Sequence, residues 1–230
     1  MLFASHTAWL YSWPMATATL LVVQLVLLLL VAVIAGVNAV RSRQAIRLFW
    51  AFLAAAFGLW AVNLWFWFYY VVWLRAGITD LSRSDPPLFL HVVLMMAAIA
   101  VRPHLKRSKR KPYQATVDFL LLLFFWVFMY AYLQLPFHHT RSELGRYLIV
   151  YFGQHVVLLV FLGLLISRAN SPWKSIYWHL FGASALYAFA SLGLNLDILF
   201  HGYHGGPYEA PLTASLCWFK PSEEIGRAHV

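Results

Sequence analysis

The chain has 230 residues, of which 62% are apolar and 11% charged, with a mean hydropathy of +0.70 and a formal net charge of +9. A soluble globular domain is about half apolar and about a quarter charged, so that class is excluded and lipid is the expected solvent. The single cysteine, Cys217, excludes an internal disulfide framework.

Six full apolar spans are predicted in chain order: Ala16–Val40, Leu48–Leu74, Pro87–Val101, Ala115–Phe137, Tyr147–Ile166 and Ile176–Leu199. A seventh runs from Leu212 only to Phe219, where Lys220-Pro221 ends it. Crossing the hydrocarbon takes about 20 apolar residues. The third span is short by that measure, the second is long enough to require tilt, and the seventh is cut short. The first span carries no Lys or Arg ahead of it and is too long for the core of a signal peptide, so it reads as a retained helix. The expected fold class is all-α: a polytopic transmembrane helical bundle of six full helices plus a truncated seventh.

Basic residues in the gaps set the orientation. The odd gaps hold Arg41, Arg43, Arg47, Arg102, Lys106, Arg107, Lys109, Arg110, Lys111, Arg168 and Lys174; the even gaps hold only Arg75, Arg83, Arg141 and Arg146. The excess places the odd gaps in the cytoplasm and the N-terminus outside, and sends the seventh helix inward. The run from Arg102 to Lys111 reads as a topology anchor touching anionic lipid, and no nucleic-acid partner is expected. Trp60, Trp65, Trp67, Tyr69, Tyr70 and Trp73 read as an aromatic belt at the outer headgroups, with an aromatic pocket for a small ligand as the alternative.

Polar residues inside the spans are costly and mark candidate sites. Asn63, His91, Asp118, His155, His179, Asn195 and Asp197 are such residues, and Glu209 opens the stretch before the seventh helix. Asp118 and His179 lie at similar depth near the cytoplasmic ends of their helices, where contact lowers the burial cost of both. Gln154-His155 falls near mid-membrane. His91 is counted near the outer end of its span, so no other histidine shares the depth of His155, as a haem with two axial histidines requires. No cofactor or metal is therefore expected. The alternative metal ligands are His138, His139, His201 and His204 in outer loops, a set suited to Zn²⁺ or Cu²⁺ with Glu143 or Glu209 assisting. There is no Gly-x-Ser-x-Gly, no phosphate-cradling Gly-rich loop with lysine and no His-Glu-x-x-His, so the chain itself is expected to lack catalytic activity.

Three stretches carry a resemblance. The first is Asp118-Phe-Leu-Leu-Leu-Leu-Phe-Phe-Trp-Val-Phe-Met-Tyr-Ala-Tyr132, continuing to Leu135-Pro-Phe-His-His139. The second is Trp178-His-Leu-Phe-Gly-Ala-Ser-Ala-Leu-Tyr187, continuing through Ser191 to Asn195. The third is Tyr208-Glu-Ala-Pro-Leu-Thr-Ala-Ser-Leu-Cys-Trp-Phe219. Together they resemble the multi-helix sensor region at the front of bacterial signalling proteins that end in a GGDEF diguanylate cyclase or a histidine kinase. In the third stretch Glu209 stands where that family more often carries Asp, and Gly206-Pro207 replaces its Gly-Ser. The resemblance implies a sensory input module in the bacterial inner membrane, answering a small-molecule or physical stimulus and working as a homodimer.

The sensor-like domain is assigned to residues 1–223. The last seven residues, Glu224-Ile-Gly-Arg-Ala-His-Val230, back-translate to the common adapter of short-read sequencing followed by its stop codon, so 224–230 is expected to be an adapter-derived tail. The output domain is then expected to lie beyond this chain. The competing reading is a small self-contained membrane transporter or a haem or metal redox protein.

Overall fold

The computed structural model describes residues 3–73, 85–103, 112–134, 142–201 and 209–218. These form seven α-helices: α1 Phe3–Arg41, α2 Gln44–Phe68, α3 Asp85–Ala100, α4 Pro112–Gln134, α5 Ser142–Arg168, α6 Ser171–His201 and α7 Glu209–Cys217. A π-type turn, Tyr69–Trp73, prolongs α2. Prolines punctuate the starts. Pro86 and Pro87 in α3, Pro112 in α4, Pro172 in α6 and Pro211 in α7 all lie in a first turn. There the missing N–H is not needed and the fixed φ suits the helix.

Most helices are longer than their apolar runs. Helix α5 begins at Ser142 and ends at Arg168, against an expected Tyr147–Ile166, and α1 begins at Phe3 rather than Ala16. An apolar run measures what lipid tolerates, whereas backbone hydrogen bonding continues through polar residues at the ends. Among the described residues three helices are long and apolar enough to cross a membrane: Ala18–Arg41, Gln44–Phe68 and Ile149–Arg168. Pro86–Ala100 of α3 and Leu120–Tyr132 within α4 are further apolar stretches. Helix α6 is 31 residues long and carries Tyr, Trp, His and Asn among its apolar residues. Three of the six expected full spans are thus candidate membrane spans among the described residues.

The packing order closes a ring. Helix α1 packs on α2, α2 on α3, α3 on α5, α5 on α6, α6 on α7, and α7 back on α1. Helix α4 packs on the outside of α3 and α5. Ring contacts across the interior fix the helix directions. Phe49 of α2 meets Trp173 and Tyr177 of α6 with centroids 5.4 and 6.4 Å apart, and three turns further along both helices Trp60 meets Tyr187 at 4.4 Å. Helices α2 and α6 are thus parallel. Phe89 with Tyr151, and His91 with His155, make α3 and α5 parallel as well. The core of the ring is aliphatic and aromatic, with Leu28, Phe49, Leu53, Met96, Leu158, Leu162 and Tyr177 fully buried.

Candidate functional site

Five of the six ring helices converge on one internal cavity. Its wall includes Phe57 and Trp60 from α2, His91 and Met95 from α3, and His155 and Leu158 from α5. Leu180, Ala183, Ser184 and Tyr187 of α6, with Ser215 and Leu216 of α7, complete it. Its volume is about 20 Å³, by a measure in which one water needs at least about 10–15 Å³. The space suits a water molecule or a single ion and leaves no room for a porphyrin.

The two histidines organise the cavity. Their ring centroids are 6.4 Å apart. His91 stacks on Trp60 at 5.0 Å, and His155 lies 5.3 Å from the Tyr187 ring. Each imidazole is oriented by its own helix. His91 Nδ1–H donates to the Leu88 carbonyl, and His155 Nδ1–H donates to the Tyr151 carbonyl at 2.8 Å. A carbonyl only accepts, so Nδ1 carries the proton in both rings and each Nε2 keeps its lone pair.

This corrects the reading that no histidine shares the depth of His155. Depth had been counted from the start of each apolar run. Helix α3 has only 16 residues, so two turns in from its start is already the middle of the bundle. Trp60 is likewise not in the outer belt: it is buried against His91 and Tyr187, while Trp65 and Trp73 of the same segment are exposed. Trp60 is part of the cavity wall.

The remaining candidates do not join the cavity. Asn63 is buried one turn beyond Trp60 but is not part of the wall. The Asn195 amide donates to the Ser191 carbonyl at 2.8 Å and to its hydroxyl at 3.2 Å, within one turn of α6. His179 Nδ1–H donates to the Ser175 carbonyl at 2.7 Å, on the outer face of α6. The side chains of Asp118, Asp197 and Glu209 lie outside the described residues, and so does the expected Asp118–His179 contact. His138, His139 and His204, the His201 side chain and the 224–230 tail lie outside them too. Among the described residues no three His, Cys, Asp or Glu side chains gather as a metal site.

Sequence reasoning passed over Met95, Tyr187, Ser184 and Ser215. Met95 follows His91 by four residues and so shares its face, which was the available signal; Tyr187 and the two serines carried none.

The α7 wall is held at two points. Gln24 Nε2 of α1 donates to Thr213 Oγ1 at 2.9 Å. On the other side the Trp218 indole lies over Gly182 of α6, where an added Cβ would stand 3.1 Å from Nε1. Fold and site together describe an all-helical chain with three candidate membrane spans and a histidine-lined cavity to which α7 contributes part of the wall. No protein-family model, curated protein or solved structure matches the chain.

Proposed function

We propose that this chain is a sensory input module, in which occupancy of the internal cavity shifts α7 and α7 passes the shift to a cytoplasmic output. The observation that carries the reading is that Ser215 and Leu216 of α7 are part of the cavity wall. A ligand moves an equilibrium only through unequal affinity for its two arrangements. Contacts to α7 differ between arrangements by construction, and a tenfold difference corresponds to about 1.4 kcal/mol. The two α7 contacts, Gln24–Thr213 and Trp218–Gly182, define the resting arrangement.

The orientation in this reading has the N-terminus outside and odd-numbered helices running inward. The distribution of Lys and Arg supports it. The setting is a multi-pass position in the bacterial inner membrane, with a GGDEF cyclase or histidine kinase domain following α7 and a homodimer as the working unit. Catalysis then belongs to the output domain rather than to this region.

The test is a long sequencing read across the source gene from upstream of the Trp218 codon. The expected result is an open frame that completes α7 and enters a cyclase or kinase domain. A natural stop shortly beyond Phe219 overturns the reading in favour of a self-contained transporter or redox protein.

A further inference from the structure

The cavity presents electron pairs and no charge. His91 and Met95 stand one turn apart on α3, and His155 faces them from α5. Both imidazoles are fixed in the tautomer that keeps the lone pair on Nε2, the arrangement in which a hydrogen bond at Nδ1 orients a metal-binding histidine. Met95 adds a thioether, the neutral donor that selects soft ions. Neither a carboxylate nor a thiolate belongs to the wall.

These features restrict the occupant. A divalent ion would bring two uncompensated charges into an apolar interior, and the cost of burying charge rises steeply with its magnitude. Zn²⁺ in a structural site asks for four ligands, commonly including thiolates. A monovalent soft ion is content with two imidazoles and a thioether. The spacing fits as well. Two imidazoles bonded to one ion at about 2.0 Å can hold their nitrogens up to about 4 Å apart, and with the two half-rings the 6.4 Å between centroids lies within that reach. The volume also accommodates a single ion.

We infer that the cavity is a copper(I) site, with Nε2 of His91, Nε2 of His155 and the Met95 sulfur as ligands. Binding is simple coordination with no change of oxidation state, and Trp60 and Tyr187 shield the ion from water. As a binding site the assignment stands on the cavity alone; as the identity of the stimulus it rests on the sensory reading above.

The experiment uses the full chain in lipid nanodiscs under anaerobic conditions, with Cys217→Ser as background because that thiol is exposed and would itself take copper(I). Copper(I) is titrated against a chromophoric chelator. The expected result is one ion per chain, with nitrogen and sulfur both present in the X-ray absorption spectrum of the metal. Met95→Leu, which conserves volume, is expected to weaken binding on the order of tenfold or more by removing the soft donor. His91→Asn and His155→Gln are expected to abolish it. Metal-free thermal unfolding of Met95→Leu should match the background, which separates ligand loss from misfolding. Failure of the background protein to take up copper(I), or uptake unaffected by Met95→Leu and His155→Gln, overturns the assignment. Amide exchange of α7 with and without copper(I) then separates the two proposals. Copper binding with unchanged α7 exchange leaves the metal site standing and removes copper as the signal. No binding removes the metal site, and the gene read alone decides the sensory role.

Discussion

Gln154 sits beside His155 on α5 and is 0% exposed, yet neither amide atom has a hydrogen-bond partner among the described residues. An unsatisfied buried amide costs about 1–3 kcal/mol, and Gln154 does not line the cavity. Gln154→Met keeps the volume and removes the polar atoms. It is expected to stabilise the protein by about 1 kcal/mol, measured as a raised midpoint of thermal unfolding in detergent, with copper(I) affinity unchanged. A lowered midpoint would show that the amide has a partner. Individual positions were unevenly legible in the sequence. An intramembrane histidine advertises itself through its cost, so His91 and His155 were visible as candidates. Their partnership was not, because it depends on how far each helix is shifted along the bundle axis. Tyr187 and Trp60 were obscured for another reason: aromatic residues suit both an interface and a core, and only the position of the facing helix decides between them.

Among elements, α7 is the weakest by length: nine residues, a third of the span of α5. Isolated helices that short are marginal, so its position depends on its neighbours. A double-mutant cycle on Gln24→Leu and Thr213→Val is expected to give a coupling energy of about 0.6–1.7 kcal/mol, the range of interhelical hydrogen bonds in membranes. A coupling near zero would remove the α1–α7 contact from the account. Gly182 makes the opposite contact. A Cβ at 3.1 Å from the Trp218 indole forces that ring to give way. Gly182→Val is expected to lift the end of α7 from α6, read as faster amide exchange at 212–218 with exchange in α2 and α3 unchanged. Equal acceleration throughout the bundle would mean a global loss of stability instead. None of these contacts was legible in the sequence, where 212–219 read as an unfinished span and as part of the third stretch of resemblance.

At the scale of the molecule, seven helices and their order were legible because apolar runs and proline positions mark them directly. The ring was not. Helices that are apolar all round carry no amphipathic stripe to say which face meets which neighbour. Helix α6 shows this: its sequence carries no amphipathic stripe, yet Tyr177, Leu180, Ser184 and Ala188 are buried while Trp178 and Phe189 are exposed. In lipid both faces are acceptable, so the choice falls to shape and hydrogen bonding.

Helix α4 stands outside the ring, and α3 and α5, which flank it in sequence, are parallel neighbours within it. Two consecutive wall segments that point the same way oblige the chain to travel back along the bundle between them, as a crossover does between parallel strands. Helix α4 is that return leg. Leu121, Phe124, Phe125 and Phe128 are exposed; they face outward rather than into the wall, so the trade they answer to is with the surrounding medium. Those outward positions are free to exchange one greasy side chain for another, whereas Trp126, buried on the inner side of α4, and Tyr130, whose ring meets Phe89, are not.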